Sequence, residues 1–104
     1  MVDLFSLIDD EPKWGTIEEI ERRNRIKLSI AAYSYEFENV SIMSDGDFDS
    51  LSKKINPNVL TGHDELDRFF KEEFMPYTGM WIHNHPCLDG IKRLYMLNYF
   101  WEFN

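Results

Sequence analysis

The sequence predicts a mainly α-helical single domain of about four helices, and three observations carry that expectation. Apolar residues recur at three- and four-residue spacing in four separate stretches, a capping-type polar residue precedes each, and neither glycine nor proline interrupts the chain from Thr16 to Asp45. With 104 residues there is room for one domain with a real core and not for two.

The elements follow in order. Residues 1–15 read as an arm, with the apolar pair Leu4 and Phe5, an acidic cluster from Asp9 to Glu11, and Pro12. Thr16 followed three residues later by Glu19 is a capping-box pattern that opens a long helix. On it Ile26, Ile30, Tyr33 and Phe37 fall on one face, led in by Ile20, and this face is expected in the core. Arg22, Arg23, Arg25 and Lys27 alternate with Glu18, Glu19 and Glu21, the pattern of a solvated face laced by intrahelical ion pairs. The link Glu38–Met43 has few polar turn formers, so Val40, Ile42 and Met43 should tuck under the helices. Ser44 or Asp45 then caps a shorter helix, with Ser44 and Asp47 as the capping pair, a stripe of Phe48, Leu51 and Ile55, and Asn56-Pro57-Asn58 as its end.

Residues 57–104 supply additional helices. Thr61-Gly62-His63-Asp64 starts the third, whose apolar positions are Leu66, Phe69, Phe70 and Phe74, and Pro76 stops it. Tyr77–His85 is expected as a short extended piece or a loop packed by Trp81. Asp89 can cap a last helix over 90–103, with Ile91, Leu94, Tyr95, Asn98 and Trp101 on one face. Met96, Leu97, Tyr99, Phe100 and Phe103 make that helix apolar nearly all round, which suits a central core position or an interface with a partner.

Composition removes several function classes. Nineteen acidic against 11 basic residues give a formal charge of −8, a sign that opposes direct binding of nucleic acid. The same acidity can imitate nucleic acid toward a basic protein. No apolar run approaches the roughly 20 residues that span a bilayer, so no membrane partner is expected. The acid-bearing amino terminus is unlike a signal peptide, and a cytoplasmic location is the expectation. The single Cys87 cannot form an internal disulfide, in keeping with a reducing compartment.

One constellation has the chemistry of a metal site. If the segment from Trp81 to Cys87 is extended, alternation places His83, His85 and Cys87 on one face, with His63 as a fourth zinc donor. The His-x-His-Pro core is similar to that of zinc-dependent isopeptidases of the JAMM type, but Leu94 and Leu97 occupy the places of their Ser and Asp. The competing expectation is a loop in which Trp81 packs and the histidines are exposed or cap the neighbouring helix. No Ser/His/Asp arrangement or glycine-rich phosphate loop is present, and no catalytic residue is assigned.

The stretch Tyr33–Asp49 resembles the amino-terminal helical subdomain of bacterial NAD-dependent DNA ligases. There a helix ending in Tyr-x-Tyr-His is followed, after a short link, by Ile-x-Asp-Ala-x-Tyr-Asp opening a second helix. Tyr33 and Tyr35 take the tyrosine positions, and Met43, Asp45, Gly46, Phe48 and Asp49 fall on the second motif without a gap. The resemblance covers roughly residues 17–56 and implies a long-helix/short-helix pair over 16–56 that grips nicotinamide mononucleotide (NMN) or the same half of NAD. Its implied ligand-binding residues are Tyr35, Glu36, Asp45, Phe48 and Asp49. Aromatic rings stack on the cationic nicotinamide and carboxylates accept hydrogen bonds from its amide and ribose. Glu36 departs from the family's His and adds negative charge near a phosphate-bearing ligand; Phe48 departs from its Tyr and lacks the hydroxyl.

The ligase's nucleotidyltransferase domain and catalytic lysine have no counterpart; Cys87-Leu88-Asp89-Gly90 has Cys where the lysine belongs. The whole layout resembles small stand-alone ligase-related proteins of phage and bacterial genomes, which implies a phage or prophage origin and a host cytoplasm. The expected function is therefore a non-catalytic binding or interaction protein that takes NMN or NAD and requires no cofactor. The alternative is a phage-type acidic inhibitor or accessory protein with an anti-defence role. It would act on a host nucleic-acid-handling protein through its acidic surface or its aromatic terminal helix. A zinc-binding hydrolase is the remaining alternative.

Overall fold

The computed structural model describes residues 15–98. Their elements are α1 (Ile17–Glu38), α2 (Asp45–Lys54), α3 (Asp64–Glu72), a 3₁₀ segment (Met80–Asn84) and α4 (Leu88–Asn98), with no strand among the described residues. The mainly α, four-helix expectation holds, and one continuous apolar core joins the helices. The arm over 1–14 and the aromatic run from Tyr99 to Phe103, with Trp101, lie outside the described residues.

Capping chemistry sets where the helices begin. Thr16 Oγ1 accepts the Glu19 N–H at 3.1 Å and Ser44 Oγ accepts the Asp47 N–H at 3.1 Å, each satisfying a donor that a helix start leaves unpaired. The Glu19 carboxylate does not complete the capping box, because it pairs with Arg22 instead. His63 caps α3 through Nδ1, which accepts the Leu66 N–H at 3.2 Å. α4 starts earlier than expected, with Asp89 inside its first turn rather than at its cap. There the Cys87 carbonyl accepts the Ile91 N–H at 3.1 Å, and the Cys87 N–H donates to His85 Nδ1 at 3.0 Å.

α1 is the central element and packs against α2, the 3₁₀ segment and α4. From Leu28 to Ser34 it is buried on every side, and four of those seven residues are Ser or Ala, which lets neighbours approach closely. Ile30 and Tyr33 join the core and Ile26 packs against it, but Ile20 and Phe37, at the two ends of the anticipated stripe, are 46% and 42% exposed. The neighbours cover the helix over its middle turns, so the stripe ends beyond their reach. Phe70 and Trp81 lie 5.6 Å apart between ring centroids, with Phe69 edge-on to Phe70 at 5.3 Å. Phe74, past the end of α3, packs on Trp81 at 5.2 Å.

The solvated face expected on α1 is broken by its buried polar residues. Glu21 is 3% and Arg25 4% exposed. Arg25 Nε donates to Glu21 Oε2 at 2.7 Å and Nη1 to Asp67 Oδ1 at 2.7 Å, while Nη2 reaches the carbonyls of Asn56 and Val59 at 3.2 and 3.0 Å. Glu21 Oε1 in turn accepts the Asn56 N–H at 2.9 Å. Thr61 gives Asp67 both its backbone N–H and its hydroxyl, the latter at 2.7 Å. The guanidinium carbon sits 4.9 Å from the Phe70 ring centroid. Burial alone would raise the Asp67 pKa, but the hydrogen bonds from Thr61 and Arg25 outweigh it and hold the carboxyl below its ordinary value.

Tyr77–His85 is neither extended nor open. Thr78 Oγ1 accepts the Met80 N–H at 3.1 Å and the Thr78 carbonyl accepts the Trp81 indole N–H at 2.6 Å, winding the chain into the 3₁₀ segment. Trp81 is thereby carried inward, as the packed-loop expectation had it. His85 follows it against Phe69, and burial, with a smaller contribution from His63, pushes its pKa down to about 4. Its Nδ1 accepts a hydrogen bond, so the folded state holds the neutral imidazole.

Two predictions follow from these buried groups. Arg25→Met leaves two buried carboxylates without their cation and should cost about 3–5 kcal/mol in urea unfolding. Adding Asp67→Asn to that variant should cost much less than its effect on the wild type, because the two residues share one network. Titration acts in two windows. The folded pKa of His85 lies below its unfolded value, so its contribution is complete above about pH 6.5 and is lost as pH falls toward about 4, a change on the order of 3 kcal/mol. The contribution of Asp67 persists through that window and is lost only below about pH 4, as pH falls through its depressed folded pKa. Urea unfolding across this pH range should show a loss of stability from about pH 6.5 to 4 that His85→Leu reduces.

Candidate functional site

α1 and α2 meet at a corner whose geometry is local in origin. Asn39 adopts the left-handed conformation, with φ 57°, and ends α1. The Val40 N–H donates to the Ser34 carbonyl at 3.1 Å, and Ser34 Oγ donates to the Val40 carbonyl at 2.6 Å, so the chain folds back against the helix it has just left. Ser41 Oγ donates to the Met43 carbonyl at 2.8 Å, and Ser44 opens α2 immediately after. The first turns of α2 therefore stand beside the last turns of α1.

A cleft of about 400 Å³ lies in this corner. α1 contributes Ala31, Ala32, Tyr35 and Glu36; the link contributes Ser41, Ile42 and Met43; α2 contributes Asp45, Phe48 and Asp49. On both helices each of these positions has another three or four residues away, the spacing that shares a face. The opposite wall is the loop Tyr77, Thr78, Gly79 and Met80. Gly79 packs closely there: a Cβ on it would stand 3.3 Å from Ala32 Cβ, a tight contact, and 3.8 Å from Phe48 Cζ, an ordinary one.

All five anticipated residues, Tyr35, Glu36, Asp45, Phe48 and Asp49, line this one cleft. Tyr33 does not join them. Two residues apart on a helix is about 200° of rotation, so Tyr33 and Tyr35 point to opposite sides. Tyr35 is 63% exposed, whereas Tyr33 is buried, stacked on Phe37 at 5.1 Å and tilted against Tyr95 at 5.4 Å. The Tyr33 hydroxyl donates to Glu38 Oε2 at 2.7 Å; burial first, and that carboxylate second, push its pKa far above the ordinary tyrosine value. Tyr77, Gly79 and Met80 were not anticipated. Their signal in the sequence is faint: two large apolar side chains flanking a glycine just after Pro76.

Glu36 has a fixed partner. Its Oε1 lies 2.9 Å from His83 Nε2, and the His83 ring packs on Phe37 at 4.7 Å between centroids. This contact removes one donor from the conjectured zinc set. His85 turns into the aromatic core, His63 caps α3, and the 3₁₀ winding replaces the alternation that a shared face required. Among the described residues no three His, Cys, Asp or Glu side chains converge as metal ligands. Cys87 lies half-buried along a second, apolar cavity of about 450 Å³ bounded by Ile26, Phe70, Ile91 and Leu94. Among the described residues no helix is long and apolar enough to cross a membrane.

No protein family, curated protein or solved structure matches the chain.

The close approach at Gly79 gives a structural test of the cleft wall. Gly79→Val should force the 77–80 loop away from α1 and cost about 1–3 kcal/mol in urea unfolding, the range for overpacking a tight contact. Gly46→Ala, where a Cβ meets nothing within 4 Å, should leave stability unchanged or slightly raised.

Proposed function

We propose that the protein is a non-catalytic binding module whose α1–α2 cleft takes the nicotinamide end of a nicotinamide nucleotide, as its resemblance to the ligase subdomain implies. The observation that supports this reading best is convergence. The five residues that the resemblance implies, spread over 15 positions of sequence, line a single cleft. The cleft joins aromatic rings from Tyr35, Phe48 and Tyr77 to carboxylates from Glu36, Asp45 and Asp49. A flat pyridinium cation is attracted to an aromatic face and to nearby negative charge, and its amide and ribose hydroxyls are donors that carboxylates accept. The volume, about 400 Å³, falls in the range of small-molecule sites.

A partner-binding role through the acidic surface is the second proposal carried from composition, and one structural fact reshapes its test. Glu21 is buried in the Arg25 network, so reversing the charges of Glu18, Glu19 and Glu21 together would disrupt folding rather than probe a surface. Reversal is informative at Glu18, Asp64 and Glu65, which are exposed.

Calorimetric titration with NMN and with NAD tests the cleft reading directly. Saturable binding that Asp45→Ala/Asp49→Ala removes is the expected result. Because Ser44, not Asp45, caps α2, the double variant should retain its helical circular dichroism. Silence with both ligands, and with nicotinamide riboside, up to millimolar concentration would reject the reading.

A further inference from the structure

The charge of the cleft carries a conclusion about which ligand it prefers. Its polar ionisable walls are Glu36, Asp45 and Asp49, and among the described residues no lysine or arginine lines it. His83 is not part of the lining, and its Nε2 is engaged by Glu36. The amino terminus of α2 is the other source of positive potential nearby, and it already faces Asp45 and Asp47 in its first turn. The Ser44 hydroxyl accepts the Asp47 N–H there, so that donor is spent as well. A phosphate group carries close to two negative charges near neutral pH and is normally held by arginine, lysine or unspent backbone N–H groups. The aromatic part of the cleft has the opposite preference. Tyr35, Phe48 and Tyr77 contribute aromatic rings and Met43 and Met80 polarisable thioethers to its lining, residue types that favour an organic cation.

We infer that the cleft selects phosphate-free organic cations, so that a pyridinium nucleoside is its ligand in preference to the corresponding 5′-phosphate. The inference rests on the nicotinamide reading above and narrows it: the cationic ring lies against the aromatic wall, the ribose hydroxyls face Asp45 and Asp49, and the 5′ position carries a neutral hydroxyl. Glu36, where the resembled motif has a histidine, is the residue most responsible for the change in charge. Its contact with His83 joins it to the 3₁₀ segment at the edge of the cleft.

The test compares nicotinamide riboside, NMN and choline by calorimetry on the full chain at low and high salt. The wild type should bind the riboside at least about tenfold more tightly than NMN, a difference of ~1.4 kcal/mol, and the difference should shrink at high salt. Asp45→Asn/Asp49→Asn keeps hydrogen-bonding groups in place while removing two charges, and should weaken the riboside and narrow its advantage over NMN. NMN binding as tightly as the riboside would overturn this inference and leave the nicotinamide reading standing. Choline binding without either nicotinamide ligand would support cation selection and reject the nicotinamide reading. Absence of binding by all three, in protein whose unfolding curve is intact, would overturn both.

Discussion

The guanidinium of Arg25 is the interaction on which the rest of the structure depends. It is buried, and a charge taken from water is tolerable only if its donors find acceptors. Here they find Glu21 one turn earlier on α1, Asp67 on α3, and the carbonyls of Asn56 and Val59 between α2 and α3. Two carboxylates around one cation would leave an excess of negative charge, and the N–H groups of Asn56 and Thr61, with the Thr61 hydroxyl, answer it. The connection from Ile55 to His63 contains no helix. Its path is set by these polar contacts rather than by a ladder of its own.

The consequences run from that network to the cleft. Fixing Asp67 orients α3, whose Phe69 and Phe70 then pack on Trp81. Trp81 is the anchor of the 3₁₀ segment, and its indole N–H holds the Thr78 carbonyl. Thr78 and its neighbours Tyr77, Gly79 and Met80 form the wall that closes the α1–α2 corner. A helix pair alone would leave that corner an open groove. The cleft thus depends on a loop positioned by the aromatic packing of Trp81 and by two hydrogen bonds to cleft residues, Trp81 to the Thr78 carbonyl and His83 to Glu36.

Much of this was legible in the chain because helix starts and stops are local events. Thr16, Ser44 and His63 sit where a cap must sit, and Phe48, Leu51 and Ile55, like Phe69, Phe70 and Phe74, turn toward the core as their stripes predict, while Leu66 stays half-buried outside it. The five cleft residues were implied by the ligase resemblance, and their spacing along two helices and a short link accounts for their meeting in one cleft. The Glu21–Arg25 pair was misread because at i, i+4 it has the same pattern whether water or α3 lies beyond it. What separates the two cases is Asp67, 42 residues further on, and no local pattern announces such a partner. The shared face of His83, His85 and Cys87 required an extended segment, and Thr78 and Trp81 wind it into i+3 hydrogen bonds instead; Trp81 packs and His83 is exposed, as the loop expectation had it, while His85 is buried by aromatic residues distant in the chain.

The sequence by itself determined the helical class, three of the helix starts, the corner between α1 and α2, and the acidic and aromatic character of the residues brought there. These depend on interactions within a few positions of each other, where backbone donors and side-chain spacing leave little choice. Tertiary structure decided which polar residues are core, where the 77–80 loop lies, and that Glu36 is bound to His83. Each of those is a contact between segments far apart in the chain, and its energy comes from desolvation and packing that exist only after the segments have met.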